Sequence, residues 1–260
     1  MSLSIHHQRM GQESGAPLIL IHGLFGSLEN LGVVARQLSD TYCVYALDLP
    51  NHGRSSHLKD MTLKNTAHAI VDWMAEQELQ CAHFLGHSLG GKVAMEIALR
   101  HPDKVNQLIV ADISPIAYPH RHQDVFDAFR AVDLHHIHTR KEADNAMQAH
   151  VQEASVRSFL LKNLEKNDEG WCWRMNLEGL ISDYPQLIGA NTVDTPPFDG
   201  EVLFIKGELS PYILSEHREA IVSLFPRANV KVIAGTHHWL HAEKPSMFVS
   251  VVRRFLTSLE

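Results

Sequence analysis

Short apolar runs rich in Leu, Ile and Val recur along the chain and are separated by longer segments whose apolar residues return every three or four positions. That alternation predicts βα units around a buried parallel sheet, because strands covered on both faces are continuously apolar while the returning helices are amphipathic. Five runs read as strands: Pro17 to His22, Tyr42 to Leu47, His83 to Gly86, Gln107 to Ile113 and Glu201 to Lys206, with a sixth over Asn229 to Ala234. Lys64 to Glu78 and Leu89 to Arg100 read as helices, the first placing Ala67, Ile70, Val71 and Met74 on one face and the second Leu89, Val93, Ile97 and Leu99. Between about Ser114 and Pro197 the rhythm breaks. That stretch is opened by Pro115 and Pro119, closed by Pro196-Pro197, and reads as mostly helical with no strand run. It is expected to be a helical excursion over the sheet rather than a separate domain.

Length and composition narrow the picture. A chain of 260 residues can supply one large α/β domain, and 45% apolar with 20% charged residues is ordinary globular usage. The formal charge of −7 disfavours attraction to nucleic-acid phosphates. The first ten residues are polar and lack the apolar segment of a signal peptide, and no apolar run reaches the length of a spanning helix. Cys43, Cys81 and Cys172 are odd in number and widely spaced, as expected of free thiols. A cytoplasmic protein without membrane or nucleic-acid partners is the expectation; the oligomeric state is left open.

The chemistry concentrates in Gly86-His87-Ser88-Leu89-Gly90, a G-x-S-x-G between a strand and a helix. In that context the motif predicts a nucleophile elbow of the α/β-hydrolase fold, with the Ser88 hydroxyl raised on a tight turn and glycines where a Cβ would collide. The helix N-terminus behind it adds positive potential where an oxyanion would form. His22-Gly23-Leu24-Phe25-Gly26 follows the first strong strand, so the amides of Leu24 and Leu89 are the expected oxyanion-hole donors.

The base should follow the last strand, where His237 and His238 adjoin. His238 is preferred, since the usual Gly-x-Gly-His pattern puts His237 at the second glycine. His241 reads as a packed or surface residue. The acid departs from expectation, because its usual position after Gly207 holds Ser210, which carries no charge. Asp112, ending the strand Leu108 to Ala111, is the first candidate and Glu208 the second; the alternative role for Asp112 is a cap on the turn into the excursion.

Other signals in the chain are weaker. The Asp48 to Ser55 loop reads as structural support, and His135, His136 and His138 lack a metal-ligand spacing. Phe25, Phe126, Phe159, Trp171 and Trp239 are candidate substrate contacts. Gly86 to Lys92 also spells G-x-x-x-x-G-K, but Val93 replaces the hydroxyl that a phosphate-binding loop needs for Mg²⁺.

Taken together, His22-Gly-Leu-Phe-Gly-Ser-Leu-Glu-Asn-Leu-Gly, Asn51-His-Gly-Arg-Ser, Gly86-His-Ser-Leu-Gly-Gly-Lys, Asp112-Ile-Ser-Pro, Ser210-Pro-Tyr and His238-Trp-Leu-His-Ala-Glu-Lys-Pro resemble the YbfF-type bacterial esterases over nearly the whole chain. The resemblance implies a carboxylesterase or acyl thioesterase that needs no metal or nucleotide and acts on a small-molecule ester or thioester. It also supports Asp112, since that family has Ser-Pro-Tyr at the usual acid position. The expected fold is an α/β hydrolase with a mostly parallel central sheet flanked by helices. Residues 1–114 and 198–260 form its core, and 115–197 form a helical lid inserted after the sixth strand. The alternatives are a silent binding module or a C–C bond hydrolase on the same fold.

Overall fold

The computed structural model describes residues 3–192 and 194–257. In chain order the elements up to the excursion are β1 (His7–Met10), β2 (Pro17–Ile21), α1 (Gly32–Leu38), β3 (Cys43–Leu47), α2 (Leu63–Glu76), β4 (Ala82–His87), α3 (Leu89–Arg100) and β5 (Val105–Ala111). The excursion holds α4 (Gln123–Arg130), α5 (Arg140–Met147), α6 (Ala154–Leu160), β6 (Leu164–Asn167), β7 (Gly170–Trp173) and α7 (Leu177–Leu187). The chain then returns through β8 (Glu201–Gly207), α8 (Arg218–Leu224), β9 (Ala228–Ile233), α9 (Leu240–Glu243) and α10 (Pro245–Leu256).

Seven strands form one sheet in the order β1-β3-β2-β4-β5-β8-β9, parallel throughout except for the antiparallel edge pair β1–β3. Alternate residues of each strand serve the two faces. Ile19, Ile21, Phe84, Leu108, Val110 and Phe204 pack with α2 and α3, whereas Leu18, Leu20, Leu85, Ile109, Leu203 and Ile205 pack with α1 and α10. Each such fully buried side chain contributes roughly 2 kcal/mol of apolar burial, which is why the runs at the inner strands are legible in the sequence; the edge strand β9 buries only Ile233.

Two expectations need correction. The excursion follows the fifth strand, not the sixth, because the 109 described residues from 3 to 111 hold only five strands. One of these is β1, an edge strand with two exposed residues and no apolar run to announce it. Nor is the excursion free of strands: β6 and β7 form an antiparallel hairpin, turned at Gly170 with φ 125°. Neither strand is buried along its length and each has only four residues, so neither stands out as a core strand. Phe126, Phe129, Leu160, Leu161, Tyr184 and Leu187 of the excursion belong to the same continuous core as the α2–α3 face.

The cysteines are free thiols. Among the described residues no helix is long and apolar enough to cross a membrane.

Candidate active site

The order of the parallel strands reverses at β2, with β3 on one side and β4 on the other. Such a switch point opens a crevice at the carboxyl ends of the strands, because the connections leave to opposite faces. β2 ends into Gly23-Leu24, β4 into Ser88, β5 into Asp112, β8 into Ser210 and β9 into His238. Five strand ends therefore meet at one place.

The turn at Ser88 is tight enough to be strained, with φ 54° and ψ −119°. It is held from both sides: the Ser88 amide bonds the Ala111 carbonyl at 3.0 Å, and the Ser88 carbonyl accepts from Gly91 and Lys92 of α3 at 2.9 and 3.1 Å. The flanking glycines are required by contact. A Cβ on Gly86 would enter the Gly90 carbonyl, and one on Gly90 would meet the backbone oxygens of Ile21 and His22. Phe25 and Asp112 also have positive φ, 60° and 54°, an arrangement that non-glycine residues adopt only when the surrounding structure imposes it.

His238 Nε2 lies 3.0 Å from Ser88 Oγ, and His238 Nδ1 lies 2.8 Å from Asp112 Oδ2. Asp112 is fully buried. Its carboxylate also accepts the Gly207 N–H at 3.0 Å on Oδ1 and the Ser210 hydroxyl on Oδ2. With Nδ1–H donated to Asp112, the Nε2 lone pair faces the Ser88 hydroxyl, which is the geometry that general-base proton transfer needs. The carboxylate of Asp112 thus points at His238 rather than capping the turn that follows it. Glu208 is exposed and its Oε2 accepts the Gly235 N–H at 2.7 Å, so the second acid candidate holds a surface turn. His237 is likewise exposed and pairs with Glu243 through its backbone amide and ring.

The Leu24 loop is braced from below by two histidines. His22 donates Nδ1–H to the Gly23 carbonyl at 2.7 Å and accepts the Leu49 amide on Nε2 at 3.0 Å. His52 donates to the Pro50 carbonyl at 2.9 Å and accepts the Phe25 amide at 3.1 Å. Asp48 completes the brace by accepting the amides of Leu28 and Arg54, as expected of a supporting loop. Leu24 and Leu89 both line the cavity above Ser88, and Leu89 opens α3, so its amide has no partner within that helix.

Burial keeps these rings neutral. The pKa of His22 is lowered to about 4 and that of His52 to about 3, chiefly by desolvation, and His241 on α9 is lowered to about 4 for the same reason. The unfolded chain takes up these protons near pH 6.5, whereas the folded chain refuses them until about pH 4. Between those values the unfolded state binds more protons, so stability falls as pH falls, by up to about 1.4 kcal/mol per pH unit for each ring. Urea denaturation midpoints are therefore expected to be flat above pH 7 and to drop steeply from pH 6.5 to 4.5. A flat profile across that window would show that the rings are not held neutral.

The cavity containing Ser88 is small, about 40 Å³. Its walls are Leu24, Leu89 and Ile113 from the core, Tyr212 from the loop after β8, and Tyr118, Arg121, His122, Tyr184 and Leu187 from the excursion. Lys92 lies in its floor, one helical turn past Ser88. The buried ammonium donates to the carbonyls of Ile116 and Gly189 at 2.7 Å each, tying both stems of the excursion to α3, and desolvation lowers its pKa to about 7.

None of the five aromatics expected to contact substrate lines this cavity. Phe25 and Phe126 are buried beneath it and pack edge-on at 5.8 Å. Phe159 and Trp239 pack on each other at 5.6 Å, and Trp171 lines a separate surface groove with His135 and His138. His136 pairs with Asp133 at the surface. The tyrosines that do line the cavity sit in loops and a helix whose spacing looks like ordinary core packing. Only Ser-Pro-Tyr at 210–212, filling an unusual position, offered a signal for one of them.

Comparison with known proteins agrees with this architecture. A sequence model of the α/β-hydrolase fold matches residues 16–245. The chain belongs to the α/β-hydrolase family. It is 38% identical over 258 residues to esterase YbfF of Escherichia coli, covering 98% of this chain and 99% of that protein. It is 37% identical to the sn-1-specific diacylglycerol lipase ABHD11 of Xenopus laevis, covering 95% of this chain and 82% of the relative. Among solved structures, a marine microorganism esterase superposes with a TM-score of 0.95 at 36% identity, covering 98% of this chain and all of that one. This α/β hydrolase is of the esterase/lipase type.

Proposed function

We propose that this α/β hydrolase cleaves carboxylic esters or acyl thioesters of small molecules through an acyl-enzyme on Ser88. The observation that carries the reading is the unbroken chain of contacts from Ser88 Oγ to His238 to Asp112 at 3.0 and 2.8 Å. Ser88 attacks the acyl carbonyl while His238 Nε2 takes its proton. Asp112 holds the ring in the required tautomer and stabilises the imidazolium, and the amides of Leu24 and Leu89 receive the oxyanion. His238 then returns the proton to the departing alcohol or thiol. Water, activated by the same ring, releases the acid. Each oxyanion donor is worth about 3 kcal/mol in such a site, which is comparable to the whole contribution of a well-fitted apolar contact.

Residues 115–197 act in this scheme as a lid. They supply most of the wall facing Ser88, and the cavity beneath them is small, about 40 Å³, so the site suits a short acyl group. A series of acyl esters and matched acyl thioesters from two to twelve carbons tests the reading. The expected result is Ser88-dependent hydrolysis of at least one kind, with kcat/KM for two- to four-carbon acyl groups at least about tenfold above that for ten carbons. Absence of hydrolysis across both series would sink the proposal, and a preference for long chains would remove the small-cavity reading of specificity.

A further inference from the structure

Three residues occupy the place where this fold ordinarily keeps its acid, and Ser210, which bonds Asp112, accounts for only the first. Tyr212 is the third. Its ring stacks on the His238 imidazole with centroids 4.1 Å apart and planes 25° from parallel. His238 also contacts the ring of His87, 4.7 Å away, whose Nε2 donates to the His238 carbonyl at 2.9 Å. The backbone of Tyr212 is itself pinned. Its amide bonds Ser210 Oγ at 3.3 Å, and its carbonyl accepts the hydroxyls of Tyr118 at 2.5 Å and Ser114 at 3.1 Å.

We infer that Tyr212 is a positioning residue that holds the His238 ring in line with Ser88 and stabilises, through its aromatic face, the imidazolium formed when His238 takes the Ser88 proton. The inference rests on His238 being the base. An aromatic face carries negative quadrupole potential, so a cation stacked against it is favoured over a neutral ring, and more so away from solvent.

The groups facing His238 leave this effect room to operate. On β4, His87 is held neutral, its pKa pushed well below the ordinary value by burial and by neighbouring His241 and His238. His241 on α9 and His122 on the excursion are each lowered to about 4, mainly by desolvation, and stay neutral at working pH. Burial raises the phenol of Tyr212 and pushes that of Tyr118 up to about 12, so neither carries charge. His237 and Glu243 pair with each other at the surface. Asp112 favours the imidazolium. Arg121, exposed, with its guanidinium carbon 6.0 Å from the Tyr212 centroid, opposes it through solvent-screened repulsion.

The test compares wild type, Tyr212→Phe and Tyr212→Leu by kcat/KM against pH on one short ester. The His238 ring is titrated in parallel by nitrogen-15 NMR, its resonance identified by loss in His238→Gln. Phenylalanine keeps the face and is expected to stay within about twofold of wild type with the acidic limb unmoved. Leucine is expected to lower kcat/KM about tenfold and to move both the acidic limb and the ring titration down by about half a pH unit, since protonation has lost its partner. A rate loss in Tyr212→Leu with an unmoved limb would reduce the ring to packing. Equal damage from phenylalanine would assign the effect to the hydroxyl, and either result overturns the inference. A wild-type limb that does not coincide with the His238 titration is a different failure, because it removes His238 as the base.

Discussion

Replacing Ser88 by alanine is expected to lower kcat for a short acyl ester by about 10⁴- to 10⁶-fold while leaving the fold intact. The elbow geometry at φ 54° and ψ −119° is imposed on the main chain by its bonds to Ala111, Gly91 and Lys92, and alanine keeps the same Cβ in the same place. Only the hydroxyl 3.0 Å from His238 Nε2 is removed. What survives is the rate that the two amides and substrate binding can supply without a nucleophile. A serine-directed organophosphate should add one label to the wild-type protein, seen by intact mass, and none to Ser88→Ala. Equal labelling of the two proteins would place the nucleophile elsewhere.

The second large effect is expected at Asp112. Asp112→Asn should lower kcat by about 10⁴-fold, because the buried carboxylate accepts three donors, the Gly207 amide, the Ser210 hydroxyl and His238 Nδ1. An asparagine offers one acceptor oxygen and an N–H₂ group. The imidazole then loses either its orientation or the tautomer that presents a lone pair to Ser88, and it loses the charge that balances an imidazolium. Glu208→Gln, by contrast, should stay within about twofold of wild type, since the Glu208 side chain oxygen caps Gly235 at the surface and an amide oxygen can do the same. Steady-state kinetics on both variants, with circular dichroism to confirm folding, decide the matter; near-normal turnover in Asp112→Asn would rule that residue out as the orienting acid.

The residues that were legible in advance share a cause. Ser88, His22 to Gly26 and the inner strands β2, β3, β4, β5 and β8 leave local signatures, either because two glycines must stand where backbone approaches backbone or because both faces of a central strand are apolar, whereas the edge strand β9, exposed over four of its six residues, shows itself only by its β-branched Val230 and Val232. The six runs match β2, β3, β4, β5, β8 and β9 to within two residues at either end. β1 and the β6–β7 hairpin were not legible, since edge and surface strands bury little and are held by pairing partners distant in sequence or by a turn at Gly170. That none of the five candidate aromatics lines the Ser88 cavity has a related reason: an aromatic at helical spacing looks the same whether it fills a core, as Phe126 does, or walls a cavity, as Tyr184 does.

By itself, then, the order of residues was sufficient to determine the parallel α/β architecture and the tight turn at Ser88, because each is set by contacts within a few residues or by a periodic pattern, while the preference for His238 over His237 came from its place after the last strand. Which carboxylate faces that histidine, which tyrosines enclose Ser88 and how Lys92 joins the two stems of the excursion were decided only in three dimensions. Asp112 and His238 are 126 residues apart, and the Ile116 and Gly189 carbonyls reach one ammonium from opposite ends of the excursion. Such meetings depend on where strand ends and loops converge after the sheet has assembled, and no local pattern of residues encodes that convergence.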